Sequence, residues 1–367
     1  MAFSFTSTLR SPIGLDIGSR YIKAAQLSFA RDGVGLPRLE AALVLERGEV
    51  DGPMTAEEAW RLRAVLDRRG FVGRELVVTV PGEALMTSIL DLPPRESDAP
   101  LDAIAAAEMA RAHRVEPEAL EVAYWPLPGG ESGGAAGSKK GGTAVMAAAC
   151  PHEHAEALLD ALEAGGFHVR GMDLEGWALC RAARPLVTVE NPLLAMIDIG
   201  WRGVNFVLLY DHAVVYERML GGTGMQALSE AVQREQMLPQ PVIDHLLGRI
   251  GFAVDRTAIA PEDGRLADKL RGPLEQHFES LAQELRLSAS YAIHQYPAAT
   301  LDQLLLTGGG AMVRGLPEHL GTALEMTVRV LTPEPICTVA ARGLDEAGQA
   351  ALTVAVGLAM YPQKEAA

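Results

Sequence analysis

The sequence predicts an α/β protein in which one domain-sized unit is written twice, with an α+β segment inserted after the first copy. Three observations carry that expectation. Residues 12–20 read PIGLDIGSR and residues 193–203 read LLAMIDIGWRG, so a buried strand ends in Asp-Ile-Gly at two distant places. Each copy runs on into further strand-like segments, YIKAAQL after the first and VNFVLLY and AVVYERML after the second. Between them lies a stretch of different character, rich in alanine and glycine. A repeat at this separation is duplication of a domain rather than a solenoid.

The elements follow in order. After the first Asp-Ile-Gly, YIKAAQLSFARDGVGLPRLEAALVLERGEV alternates as strands broken by the turn-rich RDGVGLP. AEEAWRLRAVLDRRGF has apolar residues at helical spacing, and ELVVTVPG is a buried strand. Residues 85–170 then supply a strand (LMTSILDL), an Ala-rich helix (PLDAIAAAEMARAHR), a strand (LEVAYWPLP) and the low-complexity GGESGGAAGSKKGG. A strand (TAVMAAAC), a helix (HEHAEALLDALEAGG) and a short strand (HVRGMDL) complete the segment. The Gly/Ser-rich 129–142 is expected to be a long hairpin connection inside a small inserted subdomain, with an interdomain linker as the competing reading. In the second copy a tight Asp-His turn joins the strands, and GGTG precedes a helix starting near Met225.

Composition narrows the function. At 367 residues with 49% hydrophobic and 22% charged residues, the chain has the balance of a folded globular protein with room for more than one core. A net charge of -15 argues against nucleic acid, because a phosphate backbone needs a basic face. Cys150, Cys180 and Cys337 lie in apolar surroundings with no CxxC spacing, which reads as reduced core thiols rather than disulfides or a zinc site. The N-terminal MAFSFTSTLRSPIG lacks the apolar region of a signal peptide, and no stretch approaches the roughly 20 apolar residues of a membrane span. The expectation is a chain neither exported nor anchored by itself.

The repeated motif carries chemistry. A strand that ends in Asp and turns sharply through Gly presents backbone N–H groups to an anion, and a side chain there would keep a phosphate away. The aspartate suits Mg²⁺, directly or through water, because that ion prefers hard oxygen ligands and retains its waters. One such hairpin is a plain β-turn as readily as a ligand site; two facing ones can clamp a phosphate chain. LLLTGGGAMVRGLPEHLG adds a buried strand and a triple glycine, whose backbone at Gly308, Gly309 and Gly310 can lie flat against a base or ribose. GGTG stands before a helix N-terminus, where free N–H groups attract phosphate oxygens.

These stretches resemble the actin-like ATPases, the superfamily of actin, the heat-shock chaperones, sugar kinases, FtsA and PilM. IGLDIGSRYIKAAQL is similar to the first phosphate motif, MIDIGWRGVNFVLL to the second, LLLTGGGAMVRGL to the adenosine motif and TVAVGLAMY to the last connecting helix. Within the superfamily the likeness is to the PilM family of type IV pilus assembly. GRELVVTVPGEALMTSILDLPP resembles the entry to its inserted subdomain, AVMAAACPHEHAEALLDALEAGGFHVRGMDLEGWALCRA the exit, and HLGTALEMTVRVLTP the run after the adenosine loop.

The resemblance implies an actin-like fold of two lobes, each on a ribonuclease-H-like sheet, with ATP or ADP and Mg²⁺ in the cleft between them. The first lobe would take residues 1–84, 171–188 and, returning to it, 335–367; the inserted α+β subdomain 85–170; the second lobe 189–334, mostly helical over 225–299. Asp16 and Asp198 would face the metal waters. Gly18, Ser19 and Arg20 would approach phosphates from the first hairpin, with Gly200, Trp201 and Arg202 forming the second. Gly221 and Gly222 would be the phosphate and ribose wall, and Gly309, Gly310 and Met312 the base platform. EQHFESLAQELRLSASYAIHQ, with Phe278, Leu281, Leu285, Ala289 and Ala292 on one face, matches the helix that touches adenosine, which makes Glu284 and Ser288 candidates for ribose and base contacts, against a solvated salt-bridging face. Lys23 stands where the family has a lysine after the first hairpin; it would neutralise phosphate charge, or serve as a surface lysine on an alternating strand.

Trp201 departs from the pattern. Relatives carry small or hydroxyl residues after the second Asp-Ile-Gly, so a tryptophan at the hairpin tip is expected to narrow the site of the terminal phosphate. Arg202 would then replace a lost hydroxyl by pairing with phosphate oxygens, or the loop would close the site. No side chain reads as a water-activating base, and His113, His152, His154, His168 and His212 lie off the motifs, so hydrolysis is expected to be slow or absent. The function implied is a cytoplasmic nucleotide-binding scaffold at the inner face of the inner membrane. It would capture the cytoplasmic N-terminal segment of a PilN-like inner-membrane protein in a groove walled by residues within 71–125 and 143–180, alongside other pilus assembly proteins. A small-molecule kinase of the same superfamily is the enzymatic alternative, but no motif supplies its acceptor pocket or catalytic carboxylate. An FtsA-like protein is another; it carries a C-terminal amphipathic membrane helix, and this sequence ends in MYPQKEAA.

Overall fold

Strand pairing repeats itself in this molecule. The structure, a computed structural model, describes residues 8–30, 35–48, 52–128, 142–252, 261–297, 299–341 and 346–362, so most of the Gly/Ser-rich 129–142 lies outside the described residues. The chain begins with β1 (Thr8–Arg10), β2 (Ile13–Ile17), β3 (Tyr21–Ala30), β4 (Arg38–Glu46), α1 (Ala56–Arg68) and β5 (Glu75–Thr79). It continues with β6 (Met86–Leu92), α2 (Leu101–His113), β7 (Leu120–Pro126), β8 (Thr143–Pro151), α3 (His152–Ala164), β9 (His168–Asp173) and α4 (Glu175–Ala183). Next come β10 (Leu193–Ile199), β11 (Gly203–Tyr210), β12 (Ala213–Gly221), α5 (Met225–Gln236), α6 (Gln240–Arg249) and α7 (Pro261–Gln295). The last are β13 (Gln303–Thr307), α8 (Leu316–Leu324), β14 (Thr327–Val330), β15 (Thr338–Val339), α9 (Glu346–Ala351) and α10 (Thr353–Ala359).

In the first sheet β4, β3, β2, β5 and β9 lie side by side; in the second, β12, β11, β10, β13 and β14 take the same order. Each begins as an antiparallel meander and then adds two parallel strands beside its first member. The two Asp-Ile-Gly strands, β2 and β10, are therefore equivalent central strands of a duplicated sheet. Every residue of β10 is buried, as expected of a central strand covered on both faces. The Asp-His turn also forms: Asp211 and His212 both have positive φ, 47° and 63°, the backbone that a two-residue hairpin turn requires.

A third, antiparallel sheet orders β6, β8 and β7. Ala105 and Met109 of α2 cover it, packing with Leu92, Leu120 and Val145. The inserted region reads differently here from its expectation in two respects. HVRGMDL is not a strand of the insertion: as β9 it pairs in parallel with β5 of the first sheet. The preceding α3 likewise buries Leu158 and Leu162 against Ala59, Leu62 and Leu66 of α1.

Two helices join the halves. α4 and α10 share one buried cluster with Val77 of the first sheet and Met196, Val207 and Leu305 of the second. α10 packs this closely because side chains are missing: a Cβ on Gly14 of β2 would collide with the carbonyl of Ala355, and one on Gly357 of α10 with the carbonyl of Ala178 on α4. Glu175, the first residue of α4, lines one cleft with Asp16 of β2 and Asp198 of β10. Among the described residues, no helix is long and apolar enough to cross a membrane.

Candidate functional site

The two hairpins close alike. Gly18 N–H donates to the Tyr21 carbonyl at 3.0 Å and Gly200 N–H to the Gly203 carbonyl at 3.0 Å, leaving Ser19-Arg20 and Trp201-Arg202 as equivalent tips. Between the hairpins lies a cleft of about 820 Å³. Of the predicted residues, Asp16, Gly18, Ser19, Arg20, Lys23, Asp198, Gly200, Trp201, Arg202, Gly221, Gly309, Gly310 and Met312 line it. Trp201 is half-buried in this wall rather than packed under the sheet.

Four predicted residues stand elsewhere. Gly222 is outside the lining, and Gly308 is set back beneath the hairpin: its φ of 85° and the 2.7 Å that would separate a Cβ from Asp198 Oδ1 give it a packing reason to be glycine. Glu284 pairs with Arg218 at 3.5 Å, and Ser288 is 1% exposed, so neither reaches the cleft. The reason is the orientation of α7, which buries Phe278, Leu281 and Leu285 in the second-lobe core. Ala289 is only partly buried there, and the side chain of Ala292 lies outside the described ones. The wall that α7 was expected to form comes from Asp244, Leu247 and Gly248 of α6. The GGTG loop also differs from expectation, because Met225 N–H donates to the Gly200 carbonyl at 3.0 Å and Gln226 N–H to that of Trp201 at 2.8 Å. Those helix-terminal donors support the hairpin and are not free for phosphate.

At the floor, equivalent positions hold different partners. Opposite Asp16 in register is Lys23, whose Nζ donates to Asp16 Oδ2 at 2.7 Å. Opposite Asp198 is Asn205, which donates instead to Glu217 Oε1 at 2.9 Å. Glu217 Oε1 also accepts from Gly176 N–H at 3.0 Å and so fixes the start of α4. That leaves Asp198 Oδ2 and Glu175 Oε1 buried without a hydrogen-bond partner. Burial pushes the Asp198 carboxyl up to about 6, with Asp16 adding to the shift and Lys23 opposing it. Glu175 is likewise raised, first by burial and then by Asp198 and Asp16. Burial by itself would lower the Lys23 ammonium, but Asp16 and Asp198 outweigh it and hold the charge.

This donor set fits a hydrated Mg²⁺. Uncompensated carboxylate oxygens in a low-dielectric floor call for a cation. Among the described residues no three His, Cys, Asp or Glu side chains are grouped to coordinate a metal directly.

Glu175, Asp244 and Glu83 also line the cleft and were not legible as site residues. Glu175 lies within MDLEGWALC, Asp244 sits within the amphipathic QPVIDHLLG, and Glu83 lies in the loop VPGEALM; none stands in a spaced motif. Asp244 accepts both Nη1 and Nη2 of Arg20, at 3.2 and 2.7 Å. The Arg20 guanidinium lies 4.6 Å from the Trp201 ring centroid, a cation–π contact between the two hairpins. Arg202 in turn forms an ion pair with Glu83.

A duplicated sheet with paired acidic hairpins across a cleft defines the class: an actin-like, two-lobed protein. Solved structures agree on the fold. The PilM-PilN type IV pilus biogenesis complex matches at 22% identity, with 95% of this chain and 98% of that chain covered and a TM-score of 0.72. The ethanolamine utilization protein EutJ from Carboxydothermus hydrogenoformans matches at 13% identity, 96% and 90% coverage and a TM-score of 0.51. MreB 5 of Spiroplasma citri, solved bound to AMPPNP, matches at 12% identity, 95% coverage of each chain and a TM-score of 0.50. The chain belongs to the family described as type IV pilus assembly protein PilM, which it matches over residues 14–363.

Proposed function

We propose that this protein is a nucleotide-binding scaffold of type IV pilus assembly, with ATP or ADP and Mg²⁺ in the interlobe cleft. It captures the cytoplasmic N-terminal segment of a PilN-like inner-membrane protein. The observation that supports the nucleotide most strongly is the pairing of two equivalent glycine hairpins over a floor in which Asp198 Oδ2 and Glu175 Oε1 are buried without a hydrogen-bond partner. Asp16 and Asp198 would hold the Mg²⁺ through water, and the ion would neutralise phosphate charge. Gly18, Gly200 and their hairpin neighbours would approach phosphate oxygens, with Gly309, Gly310 and Met312 against the base.

Turnover is expected to be slow. General-base hydrolysis needs a side chain within hydrogen-bond reach of the attacking water, and the sequence offers no motif for one. The partner reading rests on family membership and on the solved PilM-PilN type IV pilus biogenesis complex, whose matching chain has the same fold. The inserted sheet is suited to relay a captured segment, because it contacts the second lobe directly: Thr87 Oγ1 donates to the Glu217 carbonyl at 3.0 Å and Trp125 Nε1 to that of Val214 at 2.7 Å. The partner would place the protein at the cytoplasmic face of the inner membrane.

The test is fluorescence anisotropy of a labelled peptide, the cytoplasmic N-terminal segment of the PilN-like protein encoded in the same genome. Saturable binding whose affinity changes on adding Mg-nucleotide is expected. A peptide that fails to bind at high micromolar protein, with and without nucleotide, contradicts the reading.

A further inference from the structure

We propose that Arg20 and Arg202 pin the lobes together through Asp244 and Glu83, and that a phosphate chain entering between the hairpins competes with these carboxylates for the two arginines. The proposal rests on the nucleotide reading of the cleft and adds its regulation.

The duplication makes the arginines equivalent, each the second residue of a hairpin tip. Each reaches the opposite lobe: Arg20 from the first hairpin to Asp244 on α6, Arg202 from the second hairpin to Glu83 after β5. The contacts are therefore reciprocal and cross the cleft from both sides. Arg20 grips Asp244 with both terminal nitrogens, the fork geometry with which arginine also grips phosphate. A carboxylate in that position is a stand-in for the anion.

Exposure shows which partner yields. The Arg20 side chain is 18% exposed and Asp244 39%, while Arg202 is 34% exposed and Glu83 67%. In both pairs the arginine is the better buried member and the carboxylate the wetter one, so the acid is the member water can take up; Asp244 Oδ1 also accepts from Gln240 Nε2 at 2.8 Å, a partner it keeps on α6 when Arg20 lets go. When Asp244 departs, Arg20 keeps its contact with the Trp201 ring at 4.6 Å and the weaker, more exposed pairing of its Nε with Glu46 of its own lobe at 3.6 Å, so the guanidinium stays at the cleft. On this account the tryptophan is a platform for the arginine. Lys23 is also held, by Asp16. A nucleotide phosphate meets cations already engaged, and its binding energy is offset by the clasps it must break.

The experiment compares wild type with Asp244→Asn and Glu83→Gln, singly and combined, each checked for an unchanged melting temperature. Both variants keep side-chain shape and remove only charge. Calorimetry with Mg-ADP is expected to show roughly three- to tenfold tighter binding in each variant, because a competitor for arginine is gone. Spin labels at Trp60→Cys on α1 and Leu287→Cys on α7, both largely exposed, report lobe separation. Without nucleotide, the double variant is expected to show a longer or broader distance distribution than wild type. Unchanged or weaker Mg-ADP binding in the variants, or a distance distribution that does not move, overturns the clasp. If wild type binds no Mg-ADP, the nucleotide reading fails and the distance measurement alone decides the clasp.

Discussion

Asp16 and Asp198 close equivalent strands, and their consequences differ because one neighbour differs. Asp16 has Lys23 as its counter-ion; Asp198 faces Asn205, which is turned to Glu217. Removing Asp16 would strand a buried ammonium, so its loss mixes stability with binding. The repeated Asp-Ile-Gly made both aspartates legible, since a short motif written twice is visible to the eye. Glu175 and Asp244 were invisible, because a carboxylate that reaches a site from a helix carries no signature beyond its own helix pattern. Trp201 was legible as an oddity, and its stacking on Arg20 from the other lobe was not. Replacing Trp201 by Ser restores a small hydroxyl residue at the tip. The ratio of ATP to ADP affinity is expected to rise severalfold with little change in melting temperature, since the side chain is in the cleft wall and outside the cores. A lower melting temperature with an unchanged ratio would assign the tryptophan a packing role.

At the scale of elements, the first hairpin depends on the start of α1. Thr55 and Glu58 form a capping box, and Glu58 is also gripped by Arg47 at 2.8 and 3.0 Å, while Arg47 donates to the Gly18 carbonyl at 3.3 Å. Burial pulls the Glu58 carboxyl up, but Arg47 and the Thr55 N–H outweigh it, and the group lies below the usual carboxylate range. A lowered folded value means that the pair's stabilisation is present above the unfolded value of about 4.3 and is lost as pH falls through the folded one. Glu58→Gln is therefore expected to cost about 3 kcal/mol at pH 7, the cost of breaking a buried pair, and much less near pH 3. Urea denaturation at the two pH values checks this, and an equal cost at both would exclude an ionic origin. Strands and tight turns such as Asp211-His212 were readable because their rules are local. The parallel pairing of β9 with β5 is a long-range choice, and the assignment of α7 to the cleft failed because an apolar face shows that a helix is buried without showing against what.

At the scale of the whole molecule, the two sheets share a core through α4 and α10, and the cleft opens where that shared core ends. This arrangement puts the start of α4, and with it Glu175, between the two aspartates. The protein's net charge of -15 sharpens the electrostatic problem of the cleft, since a polyphosphate approaches an acidic molecule and then an acidic floor. A divalent cation resolves it, which makes metal dependence the most direct mark of the account. The deciding measurement is calorimetric titration of Mg-ADP, and of ADP with a chelator, into wild type and Asp198→Asn, a substitution that keeps the side-chain shape and leaves Asp16 as the ion-pair partner of Lys23. One site in wild type, weakened at least about tenfold by removing Mg²⁺ or by the substitution, is the predicted result. No binding to wild type at millimolar nucleotide, or equal affinity in all four titrations, would contradict it.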